Sequence, residues 1–155
     1  MDIYLILVIA LLILAIGDLV VGVSNDAVNF LTSAIGSRVA TQRTILIIAA
    51  AGVFAGAAFS SGMMEVARKG IFNPSFFSFA DVMIIFMAVM ITDIILLDAF
   101  NSFGMPTSTT VSIVFELLGA SVMVGWLMLR RGEHQELELL DLINTSKAGQ
   151  IIAGI

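Results

Sequence analysis

The chain has 155 residues, of which 59% are hydrophobic and 12% are charged, and its mean hydropathy is +1.09. Soluble domains carry about 25% charged residues, so this composition indicates a membrane protein. The absence of cysteine excludes thiol chemistry, and the net charge of −5 argues against a nucleic-acid partner, because nucleic-acid binding requires clustered Lys and Arg.

Four apolar runs are long enough to cross a bilayer, whose hydrocarbon requires about 20 residues of helix. They predict transmembrane spans at about 3–23, 44–64, 82–100 and 107–129. The first run lacks the basic start of a secretory signal, so we interpret it as a retained span. In the second span, Gly52 and Gly56 form a pattern typical of close helix packing. The expected fold is an all-α, multi-pass protein of the cell membrane.

Basic residues in the loops predict the orientation, because cytoplasmic loops are enriched in Lys and Arg. Arg38 and Arg43 precede the second span, and the other five basic residues lie on the opposite side when spans are counted. That opposite side is expected to be cytoplasmic. The side of the N-terminus stays open, because residues 24–37 could cross, re-enter or lie along the interface.

A polar segment at residues 24–37 follows the first span. Gly22 and Ser24 favour an interruption, with Ser24 as the N-cap of a new helix. The segment therefore predicts a broken or re-entrant helix, which membranes tolerate where it lines a cavity. Polar side chains at helical spacing share one face of that helix, namely those of Asn25, Asp26, Asn29, Thr32 and Ser33.

A second polar cluster precedes the fourth span, around Pro106. Proline suits the first turn of a helix, because its missing N–H is not needed there. Hydroxyl groups then crowd the helix N-terminus at Ser108, Thr109 and Thr110. Hydroxyl donors, backbone N–H groups and the positive end of the helix dipole together favour an oxyanion. The alternative is that these hydroxyls only cap the helix.

Three acids lie inside the apolar runs, at Asp18, Asp93 and Glu116, and none of the spans contains a Lys or Arg to pair with them. Intramembrane carboxylates are costly and mark ion pathways. Each is therefore a candidate for binding a cation or a proton. The alternative is that each bonds a hydroxyl or a backbone group inside a helix bundle.

The composition becomes acidic after the fourth span. Residues 130–146 are predicted to form a cytoplasmic linker or a short amphipathic helix. Residues 147–155 resemble the start of a further, truncated span. We therefore expect the chain to be part of a longer protein, or to work with a partner.

The two polar clusters together resemble the signatures of the inorganic phosphate transporter family. They read GVSNDAVNFLTSAIGS from Gly22 to Ser37 and PTSTTVSIVFELLGAS from Pro106 to Ser121. In that family the signatures occur in inversely oriented repeats, and phosphate moves with sodium ions or protons. The resemblance implies that residues 1–129 are the first half of an inverted-repeat transporter, completed by a second repeat or a homodimer partner.

The resemblance also implies the ligand sets. Phosphate is expected to bind Asn25, Asn29, Ser108, Thr109 and Thr110, and the coupling cation is expected to bind Asp26, Asn29 and Thr32. Asp26 would be the sodium ligand. Val111 stands where many members have histidine, which favours Na+ over H+ as the coupling ion. No cofactor beyond this ion is expected.

Two alternatives to a cation-coupled phosphate symporter stay open. Sulfate is also a tetrahedral oxyanion, so a sulfate permease of the same fold is the first. The second is a non-transporting membrane assembly subunit. An enzyme is not expected, because the sequence shows no nucleophile–base pair and no closed set of metal ligands.

Overall fold

The computed structural model describes residues 3–59, 71–105, 107–132 and 139–154. Within these ranges the helices are α1 (Ile3–Gly36), α2 (Gln42–Phe59), α3 (Phe79–Phe103), α4 (Thr109–Arg130), α5 (Leu139–Leu142) and α6 (Thr145–Gly154). A single 3-10 turn covers Pro74–Phe76 in the same ranges. The four helices α1 to α4 are long and apolar enough to cross a membrane, which confirms the all-α polytopic fold.

The predicted break in the first span is wrong, because α1 is one continuous helix of 34 residues. Ser24 does not cap a new helix. Its Oγ donates to Val20 O at 2.7 Å, the bond to the preceding turn that serine makes inside helices. Gly22 costs a helix interior only about 1 kcal/mol, which is too little to interrupt a long apolar run without a proline. Residues 24–36 therefore continue the first span and do not re-enter.

Both ends of α3 have a local cause in the sequence. Ser78 and Asp81 form a capping box at the start: Asp81 N donates to Ser78 Oγ at 3.2 Å, and Ser78 N donates to Asp81 Oδ2 at 3.1 Å. At the other end Gly104 has a φ of 64°, which glycine adopts without strain. Met105 N then donates to Phe100 O at 3.0 Å, which closes the helix end. The turn to α4 is therefore short.

Helices α1 and α3 lie side by side and run in the same direction. The rings of Tyr4 and Phe79 are 5.9 Å apart at one end. In the middle, a Cβ built on Gly17 would lie 3.2 Å from Ile94 Cδ1. Helix α4 packs against α3 and touches α1, while α2 contacts α1. The result is a bundle of α1, α3 and α4 with α2 on its outer side.

The hydrophobic core lies between α3 and α4, and the chain segments 71–78 and 139–144 close it at one end. Asn73 N donates to Leu142 O at 3.0 Å, and Asn144 N donates to Ile71 O at 2.9 Å. Leu142 is fully buried and lies against Gly125 of α4. The segment before α3 and the segment after α4 therefore share one end of the bundle, as the count of spans predicted.

Several sequence predictions fall on residues outside the described ranges. They concern the end of the second span at 60–64, the basic residues Arg68 and Lys69, the proline at 106 and the acidic residues 133–138. The proline at 106 predicts that the fourth span begins at about that residue. The described helix begins about one helical turn later, with Ser108 as the N-cap and Thr109 as the first helical residue.

Candidate functional site

The two polar clusters of the sequence meet where α1 passes the turn between α3 and α4. Asn25 Nδ2 donates to Thr107 O at 3.0 Å, and Asn29 Nδ2 donates to the same carbonyl at 2.9 Å. The two asparagines are one helical turn apart on α1, so both reach one acceptor. Asn25 is almost completely buried. The contact joins segments that are 82 residues apart along the chain.

Asp26 faces the N-terminus of α4. Thr109 Oγ1 donates to Asp26 Oδ1 at 3.3 Å, and both residues are half-buried. A helix N-terminus carries a partial positive charge, so this carboxylate lies where negative charge is stabilised. A carboxylate, a hydroxyl group and a helix N-terminus are thereby in contact.

The first turn of α4 combines capping with further donors. Ser108 Oγ accepts from Val111 N at 3.4 Å, which gives Ser108 the capping role that was the alternative interpretation. Thr109 and Thr110 are the first two helical residues, and amide groups at these positions have no acceptor within their own helix. The side chains of Ser108 and Thr110 are exposed. This end of α4 therefore offers amide and hydroxyl donors that suit an anion.

A cleft of about 290 Å³ opens beside this junction, between α1 and the end of α3. On α1 it is lined by Asn25, Asn29 and Thr32. On α3 it is lined by Asn101, in the last turn of that helix. Thr32 is exposed, and its Oγ1 donates to Val28 O inside its own helix. Each asparagine keeps a carbonyl oxygen and a second N–H beyond the bond to the turn. The cleft therefore presents both acceptors and donors.

Two contributors were missing from the predicted site. Thr107 acts through its backbone carbonyl, and no pattern of side chains reveals which carbonyl a turn will present. Asn101 lines the cleft, and its place at the start of the second polar cluster was a signal that could have identified it.

The three predicted intramembrane acids come together away from this junction. Asp93 of α3 is 2% exposed, and its carboxyl group lies against those of Asp18 of α1 and Glu116 of α4. Ser112 Oγ donates to Glu116 Oε1 at 3.0 Å. The seven residues from Asp18 to Asn25 correspond to about 10 Å along α1. Ser112 was missed as well, although its spacing of four from Glu116 puts both on one helix face.

The sequence of this chain matches the Phosphate transporter family over residues 21–155. The chain belongs to this family. Two relatives named "putative phosphate permease", from Pyrococcus furiosus and Pyrococcus horikoshii, are 32% and 30% identical over 132 residues. Each alignment covers 84% of this chain and 32% of the relative, so the chain spans about a third of the length of the relatives it matches. No solved structure matches the chain.

Membership of the phosphate transporter family confirms the resemblance that the two signatures suggested. In this family member the first signature lies on α1 and the second at the start of α4, and they meet at Thr107 and Thr109. The family and the four long apolar helices together make the chain a multi-pass membrane protein.

Proposed function

We propose that this chain forms one repeat of a cation-coupled phosphate transporter in the cell membrane, with Na+ as the coupling ion in preference to H+. The observation that carries the proposal is the junction of Asn25, Asp26 and Asn29 with the N-terminus of α4. It brings groups that favour a cation next to groups that favour an anion. The names of the relatives support phosphate as the anion.

In this proposal the first turn of α4 binds phosphate. The amides of Thr109 and Thr110 and the hydroxyls of Ser108, Thr109 and Thr110 donate to phosphate oxygens. Asn25 and Asn29 add the N–H groups that the Thr107 carbonyl leaves free. Helix ends aimed at anionic substrates are a recurrent device of transporters.

Asp26 has the complementary role of holding the cation. An ionised carboxylate would repel phosphate directly, so a cation between the two groups reconciles them. Asn29 and Thr32, which line the cleft beside the junction, supply the further oxygen ligands proposed for it. Val111 follows the threonines at the position where many family members have histidine, and this favours Na+.

A second repeat or a second copy of the chain completes the transporter. Alternating access requires two structural units that move around one site, and the chain covers about a third of its relatives. Within the described residues, Gly52 and Gly56 of α2 would meet nothing within 4 Å of an added Cβ. Among the described residues nothing covers this small-residue face of α2, and we propose that such a unit packs there.

Uptake of radiolabelled phosphate tests the proposal. The chain, expressed from its gene in cells without their own phosphate carriers, is compared with Asp26→Asn in sodium medium and in choline medium. We expect sodium-dependent uptake in the wild type and a loss of at least tenfold in Asp26→Asn. Asp98→Asn, which changes an exposed acid on α3, is the matched control and should keep its uptake.

Four outcomes would contradict parts of the proposal. Unchanged uptake by Asp26→Asn would remove its role in cation binding. Equal uptake in choline medium would exclude sodium as the coupling ion. Uptake of sulfate without uptake of phosphate would identify a sulfate permease. No uptake of either anion by inserted protein would exclude a second copy of this chain as the completing unit, and would fit a chain that requires a different second repeat or a non-transporting assembly subunit.

A further inference from the structure

The cluster of Asp18, Asp93 and Glu116 lies at a different depth from the phosphate site. Asp93 is near the centre of α3 (Phe79–Phe103), and each of its two neighbours comes from a different helix. Asp18 and Asn25 are two helical turns apart, on the same face of α1. The cluster therefore lies inside the bundle, about two helical turns from the candidate phosphate site towards the N-terminus of α1.

Each of the three acids has one buried oxygen without a hydrogen-bond donor among the described residues. These atoms are Asp18 Oδ1, Asp93 Oδ1 and Glu116 Oε2. Asp93 is 2% exposed, so bulk water does not reach it directly. Its close neighbours are other carboxyl groups, which only accept hydrogen bonds when they are ionised. A bond between two of these carboxyls therefore requires a proton on one of them.

Within the described residues, no positive charge faces the cluster. The groups that face Asp93 are Asp18 from α1 and Glu116 and Ser112 from α4. Helix α2 packs on α1, and its ionisable residue, Arg43, is exposed at the start of that helix. Adjacent ionised carboxylates repel one another, and hydrocarbon does not solvate their charge. A bound proton removes one charge and supplies the missing donor.

A cavity gives access to the cluster. It has a volume of about 610 Å³ and lies between α3 and α4, with Glu116 and Ser112 in its wall. Thr107, whose carbonyl holds Asn25 and Asn29, lines the same cavity. This space extends from the turn at the candidate phosphate site to the edge of the acid cluster.

We propose that Asp18, Asp93 and Glu116 form a proton-binding cluster, which exchanges protons with water in the cavity beside Glu116 and shares them between neighbouring carboxyls. Each proton adds to a carboxylate oxygen, and the O–H group formed donates to the adjacent carboxyl. Within the described residues no three acidic or histidine side chains are arranged to hold a metal ion, and so the geometry favours a proton as the occupant. Proton binding here does not depend on phosphate transport.

Infrared spectroscopy of the purified protein in lipid bilayers tests this proposal, because protonated carboxyl groups have a C=O band that is separate from the bands of carboxylates. The spectra are recorded across a pH series in sodium-free buffer. We expect a protonated-carboxyl band at neutral pH that decreases as the pH is raised. Asp93→Asn should lose most of this band, and Asp98→Asn should keep it.

Glu116→Gln provides a second variant, since Glu116 is only half-buried and its substitution is less demanding on folding than that of Asp93. It should lower the band and shift its pH dependence. The proposal is overturned if the wild type has no such band at neutral pH, or if both variants keep the wild-type band. It is also overturned if Na+ at constant pH removes the band, because the cluster would then bind the cation.

Discussion

At the scale of single residues, Asn25 connects the two halves of the candidate site, α1 and the turn before α4. Its side chain is 1% exposed, and its Nδ2 donates to Thr107 O. A buried polar group without a partner costs about 1–3 kcal/mol, so this bond stabilises the position of α1 against the α3–α4 turn. The same residue therefore serves the fold and the site.

Gly104 sets the geometry of that turn, and Gly104→Ala tests its role. The φ of 64° is a conformation in which a residue with a Cβ loses about 1–2 kcal/mol. We expect the free energy of unfolding to fall by about that amount, measured by thermal or denaturant unfolding of the purified protein. Gly36→Ala, at the helical end of α1, is the matched control and should not destabilise.

If Gly104→Ala were as stable as the wild type, the left-handed conformation at this position would be incorrect. The consequence for the site would be direct, because the turn would then present a different backbone atom to Asn25 and Asn29.

The sequence identified most polar side chains of the candidate site, because polar residues are costly inside an apolar span and therefore mark candidate sites. Asn25, Asp26 and Asn29 were candidates from their spacing, and the structure brings them to Thr107 and Thr109. The Thr107 carbonyl could not be predicted, because every residue has a carbonyl and only the fold selects one. Their binding of phosphate and cation stays a prediction.

At the scale of helices, hydropathy predicted the spans well and helix interruption poorly. A glycine and a serine at 22 and 24 were interpreted as a break, but the energetic cost of both residues is small beside that of exposing backbone groups to hydrocarbon. The close approach of helices that the described residues show lies at a different glycine from the predicted pair. Gly17 of α1 lies tightly against Ile94 of α3, whereas Gly52 and Gly56 of α2 meet no neighbour among the described residues.

Gly17→Leu tests this packing of α1 on α3. A Cβ at this position would already lie 3.2 Å from Ile94 Cδ1, so a leucine forces the helices apart and should destabilise the protein by about 1–3 kcal/mol. Gly22→Leu is the matched control, because nothing lies within 4 Å of a Cβ there. Thermal unfolding in detergent measures both variants.

The contrary result would be equal melting temperatures for the two variants. Helices α1 and α3 would then not approach closely at Gly17. The contact between Asp18 and Asp93, which neighbour Gly17 and Ile94 in the sequence, would then be in doubt as well.

At the scale of the whole molecule, the polar groups lie at two depths of one bundle. The junction of α1 with the α3–α4 turn is suited to an anion and a cation, and the acid cluster two helical turns away is suited to protons. The 610 Å³ cavity touches both through Thr107 and Glu116. Sequence indicated both groups of residues. Their separation depends on the register of α1 against α3, and their common cavity depends on the packing of α3 against α4. Hydropathy encodes neither.

The central claim is that the two family signatures form one phosphate site that requires a cation. The most direct measurement is thermal unfolding of the gene product, in its native form, against increasing phosphate in sodium and in choline buffer. A ligand at about 100 times its Kd stabilises the folded state by about 2.7 kcal/mol. We predict such a rise in sodium buffer, little rise in choline buffer, and none for Asp26→Asn. A phosphate effect that is equal in all three cases, or that chloride reproduces, would contradict the account.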